Sequence, residues 1–454
     1  DDEEHQNELV ESLCRRLDEQ MKKGEAGVIG YQTCKDLPSI LSVYAMRKKS
    51  VGLLGKAQGD AKPIPFTEDT AVPPEHLADY ILEFRALLDS YHLKYGMFGH
   101  IDCGVLHVRP ALDMTDPEQE KTLRSISDRM VELTKKYGGL MWGEHGRGFR
   151  SEYGPKYFGD LYPELRKIKK AFDPDNRLNP GKIAVPEGND EKLVSVDFQK
   201  RGTFDRQISL DVRHDFSDAM GCNGNGQCFT YDLNSPMCPS YKLTRDRRFS
   251  PKGRSTLIRE WLRELQAKGI DPRDEEHIKD GRSVTGVFRR FLNTLALRSG
   301  TQDFSKEVWD AMQECLACKA CASQCPVKVD VANFRARFLN IYYQRYSRPL
   351  KDMIVRNIEK TVPLAASFPR LMNALTLNPV SDFLTRKIVG FADAPAMSYP
   401  ALPALLAELG IETIREPERL GQLPEEERKK SILFVEDAFT RVYDAPVVAH
   451  FLKL

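Results

Sequence analysis

The run Cys315-Leu-Ala-Cys318-Lys-Ala-Cys321-Ala-Ser-Gln-Cys325-Pro326 limits what this chain can fold into more than any other stretch. Its spacing, C-x2-C-x2-C-x3-C-P, is that of a cubane iron–sulfur site. Two-residue gaps let three thiolates curl round three corners of one cluster, while the next cysteine is thrown away from it. Structural zinc reads differently, as two knuckles separated by a long loop.

A second group, Cys222-x5-Cys228-x9-Cys238-Pro239, repeats only the Cys-Pro ending. By the crossing rule Cys238 supplies the fourth ligand to the [4Fe–4S] cluster of Cys315, Cys318 and Cys321. Cys222, Cys228 and Cys325 are left for a second site. Seven thiols are one short of two full cubanes, so a three-iron cluster, a non-Cys ligand and an unfilled glycine-rich loop all satisfy the count. Of ten cysteines only Cys14, Cys34 and Cys103 lie outside 222–325. Clustering of this kind in a reduced compartment points to metal rather than disulfides.

Lys+Arg and Asp+Glu number 67 and 66, a net charge of +1, which argues against nucleic acid as a partner. No apolar run approaches the ~20 residues of a membrane span. The opening Asp1-Asp2-Glu3-Glu4 is the reverse of a signal peptide's basic start. A cytoplasmic protein is expected, with peripheral attachment to a membrane and a homo-oligomer both left open. The missing initiator Met makes the chain read as a piece of something longer. No G-x-G-x-x-G follows a strand, so nicotinamide is not expected; the electron acceptor is then a quinone or a redox protein.

Periodicity predicts a helix over residues 1–24 with Leu9, Leu13, Leu17 and Met21 on one side, then a short strand at Val28–Tyr31 and a helix from Leu37 to Lys49. Ile64–Phe66 is extended, because prolines 63 and 65 forbid helix. Pro74 starts a helix carrying Leu77, Ile81, Phe84 and Leu88. Met97–Val108 reads as two strands broken at Gly99 and Gly104, and Asp116–Tyr137 as a helix stopped by Gly138-Gly139. Residues 1–184 are thus an α+β domain, 185–216 a linker, and 217–430 a mainly helical iron–sulfur domain. Ser431–Val435 reads as a strand and Ala445–Leu452 as the helix after it, the start of a truncated domain at 431–454.

Gly99-His100 to His107 and Gly143-Glu144-His145-Gly146 gather three of the nine histidines. Two imidazoles and a carboxylate suit a divalent metal such as Zn2+ or Mn2+. On spacing alone, histidines seven apart on strands are more often two unrelated side chains. The stretch Met46–Ile183 resembles the C-terminal domain of FAD-linked oxidases of the vanillyl-alcohol-oxidase superfamily. The resemblance rests on Arg47, the run Lys62-Pro-Ile-Pro-Phe-Thr-Glu-Asp-Thr-Ala-Val-Pro73, the two histidine stretches, and Phe172-Asp-Pro to Leu178-Asn-Pro-Gly-Lys182. Followed by a ferredoxin-type module, the layout is similar to that of bacterial D-2-hydroxyglutarate dehydrogenases, with D-lactate and glycolate dehydrogenases beside them.

That resemblance implies a ferredoxin-like sheet with helices, FAD, and a divalent metal at His100, His107 and Glu144. It implies His145 as the base, Arg47 and Lys62 at the carboxylate of a small 2-hydroxyacid, and Glu144, His145 and Asn179 at the cofactor. Its flavin-binding domain would precede Asp1, and its cysteine-rich domain would begin after Ser431. Arg109 and Arg147 stand where many relatives carry other residues. On a strand Arg109 shares a face with His107, so it is expected to meet a second carboxylate, favouring D-2-hydroxyglutarate over D-lactate. The rival reading is an iron–sulfur electron-transfer subunit without its own substrate chemistry, which would have no need of the histidine site.

Overall fold

Helix signals govern the amino terminus. The computed structural model describes residues 2–24, 28–53, 59–146, 148–274, 283–390, 395–413, 417–431, 434–435 and 437–454. Its first helix, α1, spans Glu3–Lys23: Asp2 accepts the Glu4 N–H at the start, and Gly24 closes the end at φ 67°. The apolar stripe Leu9, Leu13 and Met21 is exposed. α2 spans Leu37–Leu53. Between them Val28–Tyr31 is not the expected strand but irregular chain. Ile29 is 97% exposed.

The sheet follows: β1 (Lys62–Pro63), β2 (Thr70–Ala71), α3 (Leu77–Ser90), β3 (Tyr95–His100), β4 (Val105–Leu112) and α4 (Pro117–Lys136). β1 stops at Pro63, and the expected extended run ends in a turn; the Ile64 N–H still donates to the Pro110 carbonyl at 2.9 Å. β4 is central. β3 pairs antiparallel along one edge from Tyr95↔Pro110 to His100↔Val105, and β1 and β2 pair with the other through Lys62↔Leu112 and Thr70↔Leu106. Gly99 lies inside β3 and does not break it. A Cβ there would stand 2.0 Å from the Val105 carbonyl oxygen, so only glycine permits this strand contact.

The two-residue repeat of β4 divides its side chains between two faces. Leu106, Val108 and Leu112 join Leu77, Tyr80, Phe84 and Leu88 of α3 and Ile126 and Met130 of α4 in the core. His107 and Arg109 point the other way, off the helical side. In the core, the Tyr80 hydroxyl donates to Thr70 Oγ1 at 3.0 Å.

By contact the chain divides into two units, Asp1–Glu276 with Gln302–Tyr342, and His277–Thr301 with Tyr343–Leu454. Beyond the sheet the first unit is mainly helical. Helix Pro251–Ala267 buries Arg254, Ile258, Trp261 and Leu265; Trp261 packs edge-on against Phe338 at 4.9 Å and donates to Ser305 Oγ at 3.0 Å. The second unit is helical, with a small core of Leu402, Leu406, Ala445, Val448 and Ala449. Of the expected strand 431–435, residues 432 and 433 lie outside the described residues, and Ser431, Phe434 and Val435 are irregular. Helix Ala445–Lys453 is present as expected. No helix among the described residues is long and apolar enough to cross a membrane.

Candidate active site

The site is built on the face of the sheet that the helices leave open. Phe98 and His107 are directly opposed across β3 and β4, so their rings share that face and meet at 5.2 Å. Glu144 and His145 come from the loop after α4. This loop is clamped to β2: the Ala71 and Leu140 backbones exchange hydrogen bonds of 2.9 and 2.7 Å, and the Gly143 N–H donates to the Asp69 carbonyl at 2.9 Å. Asp69 itself, 5% exposed and at φ 73°, accepts the backbone N–H groups of Glu144 and His145 through Oδ1 and Oδ2 at 2.9 and 3.1 Å.

The result is a convergence on one oxygen. Glu144 Oε1 lies 2.7 Å from His107 Nε2, 3.3 Å from His145 Nε2 and 3.4 Å from His100 Nε2. Ligand atoms of Asp69, His107, Glu144 and His145 all fall within 4.8 Å of one another. Burial pushes the Glu144 carboxyl up, but the His107 hydrogen bond and the three imidazoles outweigh it and hold it below the usual range. Arg47 Nη2 donates to His100 Nε2 at 3.3 Å. His107 Nδ1 is buried with no hydrogen-bond partner among the described residues, 3.8 Å from Glu68 Oε1. A divalent metal fits His107, Glu144 and His145 with Asp69; of the expected ligands His100 stands outside this group, its Nε2 3.4 Å from Glu144 Oε1 and in contact with Arg47. With a metal on His107 Nε2, Nδ1 would carry the proton and face Glu68, the arrangement in which a second carboxylate fixes a metal-bound imidazole.

These groups line a cavity of about 610 Å³ that also takes in Arg47, Glu68 and Arg109. Arg109 reaches it as expected, but Glu68 already accepts from its Nη2 at 2.5 Å. Lys62 does not reach it. Lys62 pairs with Leu112, a core-facing residue, so the register turns it away from His107; it lines a second cavity of about 620 Å³ with Lys182 and Arg213. Asn179, at φ 48°, lines neither cavity. Arg147 lies outside the described residues.

Sequence reasoning missed Glu68, Asp69 and Arg150. The first two sit inside the run Lys62–Pro73, and their acidity beside the histidine stretches was the available signal. Arg150 is 1% exposed and donates to the carbonyls of Phe66, Glu68 and Met141 at 2.7, 2.8 and 2.6 Å; burial pushes it down to about 10. It ties the acidic run to the loop that carries Glu144. Arg150→Met is expected to lower stability by about 3 kcal/mol or more, since it leaves three buried carbonyls without donors. Urea unfolding midpoints check this; a loss under about 1 kcal/mol would mean that water replaces the guanidinium.

Cys238, Cys315, Cys318 and Cys321 line one small cavity, and Cys325 is not among its lining residues. Cys238, Ala317 and Lys319 all take left-handed backbone conformations, at φ 37°, 53° and 58°. Non-glycine residues rarely hold such values without compensation, and here they curl the chain round the cavity. Burial pushes the Cys321 thiol up to about 11 and raises that of Cys228, so thiolate ligands there need a cation or cluster to form. Cys222 and Cys228 are both buried.

Residues 1–183 match the family described as FAD linked oxidases, C-terminal domain. The chain is 54% identical over 458 residues to the D-2-hydroxyglutarate dehydrogenase of Escherichia coli K12, covering all of this chain and 45% of that protein. It is 52% identical to that of Pantoea ananatis, over 98% of this chain and 44% of the relative. Against a glycolate oxidase subunit of Bacillus subtilis the identity is 26%, over 40% of this chain. The chain spans less than half the length of the dehydrogenases it matches.

Proposed function

We propose that this chain, whose residues 1–183 match the FAD linked oxidases, C-terminal domain, carries the substrate site and an electron exit of an FAD-dependent D-2-hydroxyacid dehydrogenase that oxidises D-2-hydroxyglutarate. The observation that carries the reading is the meeting of three imidazoles on Glu144 Oε1 with Arg47 beside them. A second support is that dehydrogenases of this name are the relatives matching the chain at 50–54% identity.

FAD, when bound, supplies the hydride acceptor, and a divalent metal held by His100, His107 and Glu144 would supply Lewis acidity for the 2-hydroxyl and its carboxylate. Arg47 holds the carboxylate beside the reacting carbon by charge-assisted hydrogen bonds. His145 Nε2, presented by the Asp69 clamp, takes the hydroxyl proton. Arg109 meets the distal carboxylate and shares its charge with Glu68. The helical region 217–430 is the ferredoxin-type module, with one [4Fe–4S] cluster on Cys238, Cys315, Cys318 and Cys321; a quinone or redox protein takes the electrons. Cys222, Cys228 and Cys325 form a second, incomplete set.

The substrate test is the pair Arg109→Ala and Glu68→Gln, alone and together. Arg109→Ala removes a charged donor and also frees an anion in the cavity. It should lose about 1.5–3 kcal/mol of transition-state binding for D-2-hydroxyglutarate. In the Glu68→Gln background, where no freed anion repels the nearer carboxylate, it should leave D-lactate nearly unchanged. Equal losses for both substrates in that background would remove Arg109 from distal-carboxylate recognition.

A further inference from the structure

Arg254, on helix Pro251–Ala267, is 1% exposed. Its Nε donates to the Ala311 carbonyl at 2.8 Å and its Nη1 to the Phe249 carbonyl. Nη1 also stands 3.7 Å from Cys238 Sγ, and Nη2 is buried with no hydrogen-bond partner among the described residues. Its helix-mate Arg259 pairs with Asp205 at 3.6 Å. For Arg254 no carboxylate lies within ion-pair distance among the described residues.

A guanidinium cannot shed its proton to escape burial. An isolated charge in the interior costs several kcal/mol, and a nearby counter-charge is one way to offset that cost. The cavity that Arg254 lines also takes in the thiols of Cys238, Cys315, Cys318 and Cys321, and the mostly exposed Lys319, which already pairs with Asp330 at 3.3 Å. As neutral thiols the four cysteines offer no anion. As thiolates on a cubane they form an anionic assembly whose charge becomes more negative on reduction. We propose that Arg254 is the buried counter-cation of the iron–sulfur cluster and raises its reduction potential. The inference rests on the cluster reading above and adds a residue outside the ligand set. A cation fixed beside a ligand sulfur favours the reduced form over the oxidised one, which helps the cluster accept an electron; cluster charge, hydrogen bonds to sulfur and burial are the levers that set such potentials.

The test is an anaerobic redox titration of the purified protein, read by the electron paramagnetic resonance of the reduced cluster. Arg254→Met and Arg254→Gln are compared with wild type and with Arg254→Lys. At the wild-type midpoint the oxidised-to-reduced ratio should rise at least tenfold in both neutral variants, a fall of about 59 mV for one electron. Arg254→Lys should shift less. An unchanged midpoint in the neutral variants overturns the proposal. If neither neutral variant takes up iron while Arg254→Lys does, the charge itself builds the site and the proposal stands. If all three lose iron alike, the carbonyl bonds matter and the charge does not, and the proposal falls. Wild-type protein without iron and acid-labile sulfide would overturn the cluster reading itself, and this inference with it.

Discussion

Glu144→Ala is expected to cut kcat/KM for D-2-hydroxyglutarate by roughly a thousandfold, about 4 kcal/mol of transition-state stabilisation. The size follows from geometry: one oxygen, Oε1, is the common neighbour of His100, His107 and His145. Truncation removes the only carboxylate among the three proposed metal ligands and leaves two imidazoles. Divalent-metal content should fall with activity, because hard and borderline cations are retained poorly by two neutral nitrogens. Backbone placement should survive, since Asp69 holds the Glu144 and His145 N–H groups and not the Glu144 side chain. Circular dichroism and the urea midpoint are therefore expected to change little. Metal analysis together with turnover decides the matter; full activity with no bound metal would remove the metal from the mechanism.

Cys321→Ser should separate the two halves of the reaction. Cys321 is 8% exposed and shares a cavity with Cys238, Cys315 and Cys318. A hydroxyl there is a poor replacement for a thiolate, so about four irons per chain and the brown absorbance should be lost. Substrate should still reduce the flavin, because the histidine site is on other elements. Delivery of electrons to an external acceptor should fall by a hundredfold or more. Cys325→Ser is the internal comparison. Cys325 does not line that cavity, so its variant should keep those four irons. Loss of iron from Cys325→Ser but not from Cys321→Ser would reverse the ligand assignment.

The parts of this site that could be read from the sequence are those carried by side chains in short runs. His100 and His107 sit on paired strands, and Glu144 and His145 are neighbours, so local spacing already held most of the geometry. The parts that could not be read act through backbone groups. Asp69 works by accepting N–H groups 75 and 76 residues away, and Arg150 by bonding carbonyls up to 84 residues away; no periodicity encodes either. Lys62 went astray for a different reason. Its position in the run was clear, but β1 has only two residues, and which face each takes depends on register with β4, which is a long-range fact. The expected strand at Val28 rests on an apolar stretch alone, with no pairing partner given by the sequence. A strand exists only where a neighbour completes its hydrogen bonds, and the apolar content of Val28–Tyr31 did not supply one. The core helices were legible because α3 and α4 carry their own start and stop signals, including Pro74, Asp116 and Gly138.

The most direct measurement is anaerobic stopped-flow mixing of D-2-hydroxyglutarate with purified protein that contains flavin, divalent metal and iron, watched at the flavin and cluster bands. D-2-hydroxyglutarate is expected to bleach the flavin first and the cluster after it, much faster than D-lactate does at equal concentration, with both phases lost in Glu144→Ala. A protein that holds all three groups and yet shows no flavin bleaching with D-2-hydroxyglutarate, or bleaches equally fast with D-lactate, would contradict it.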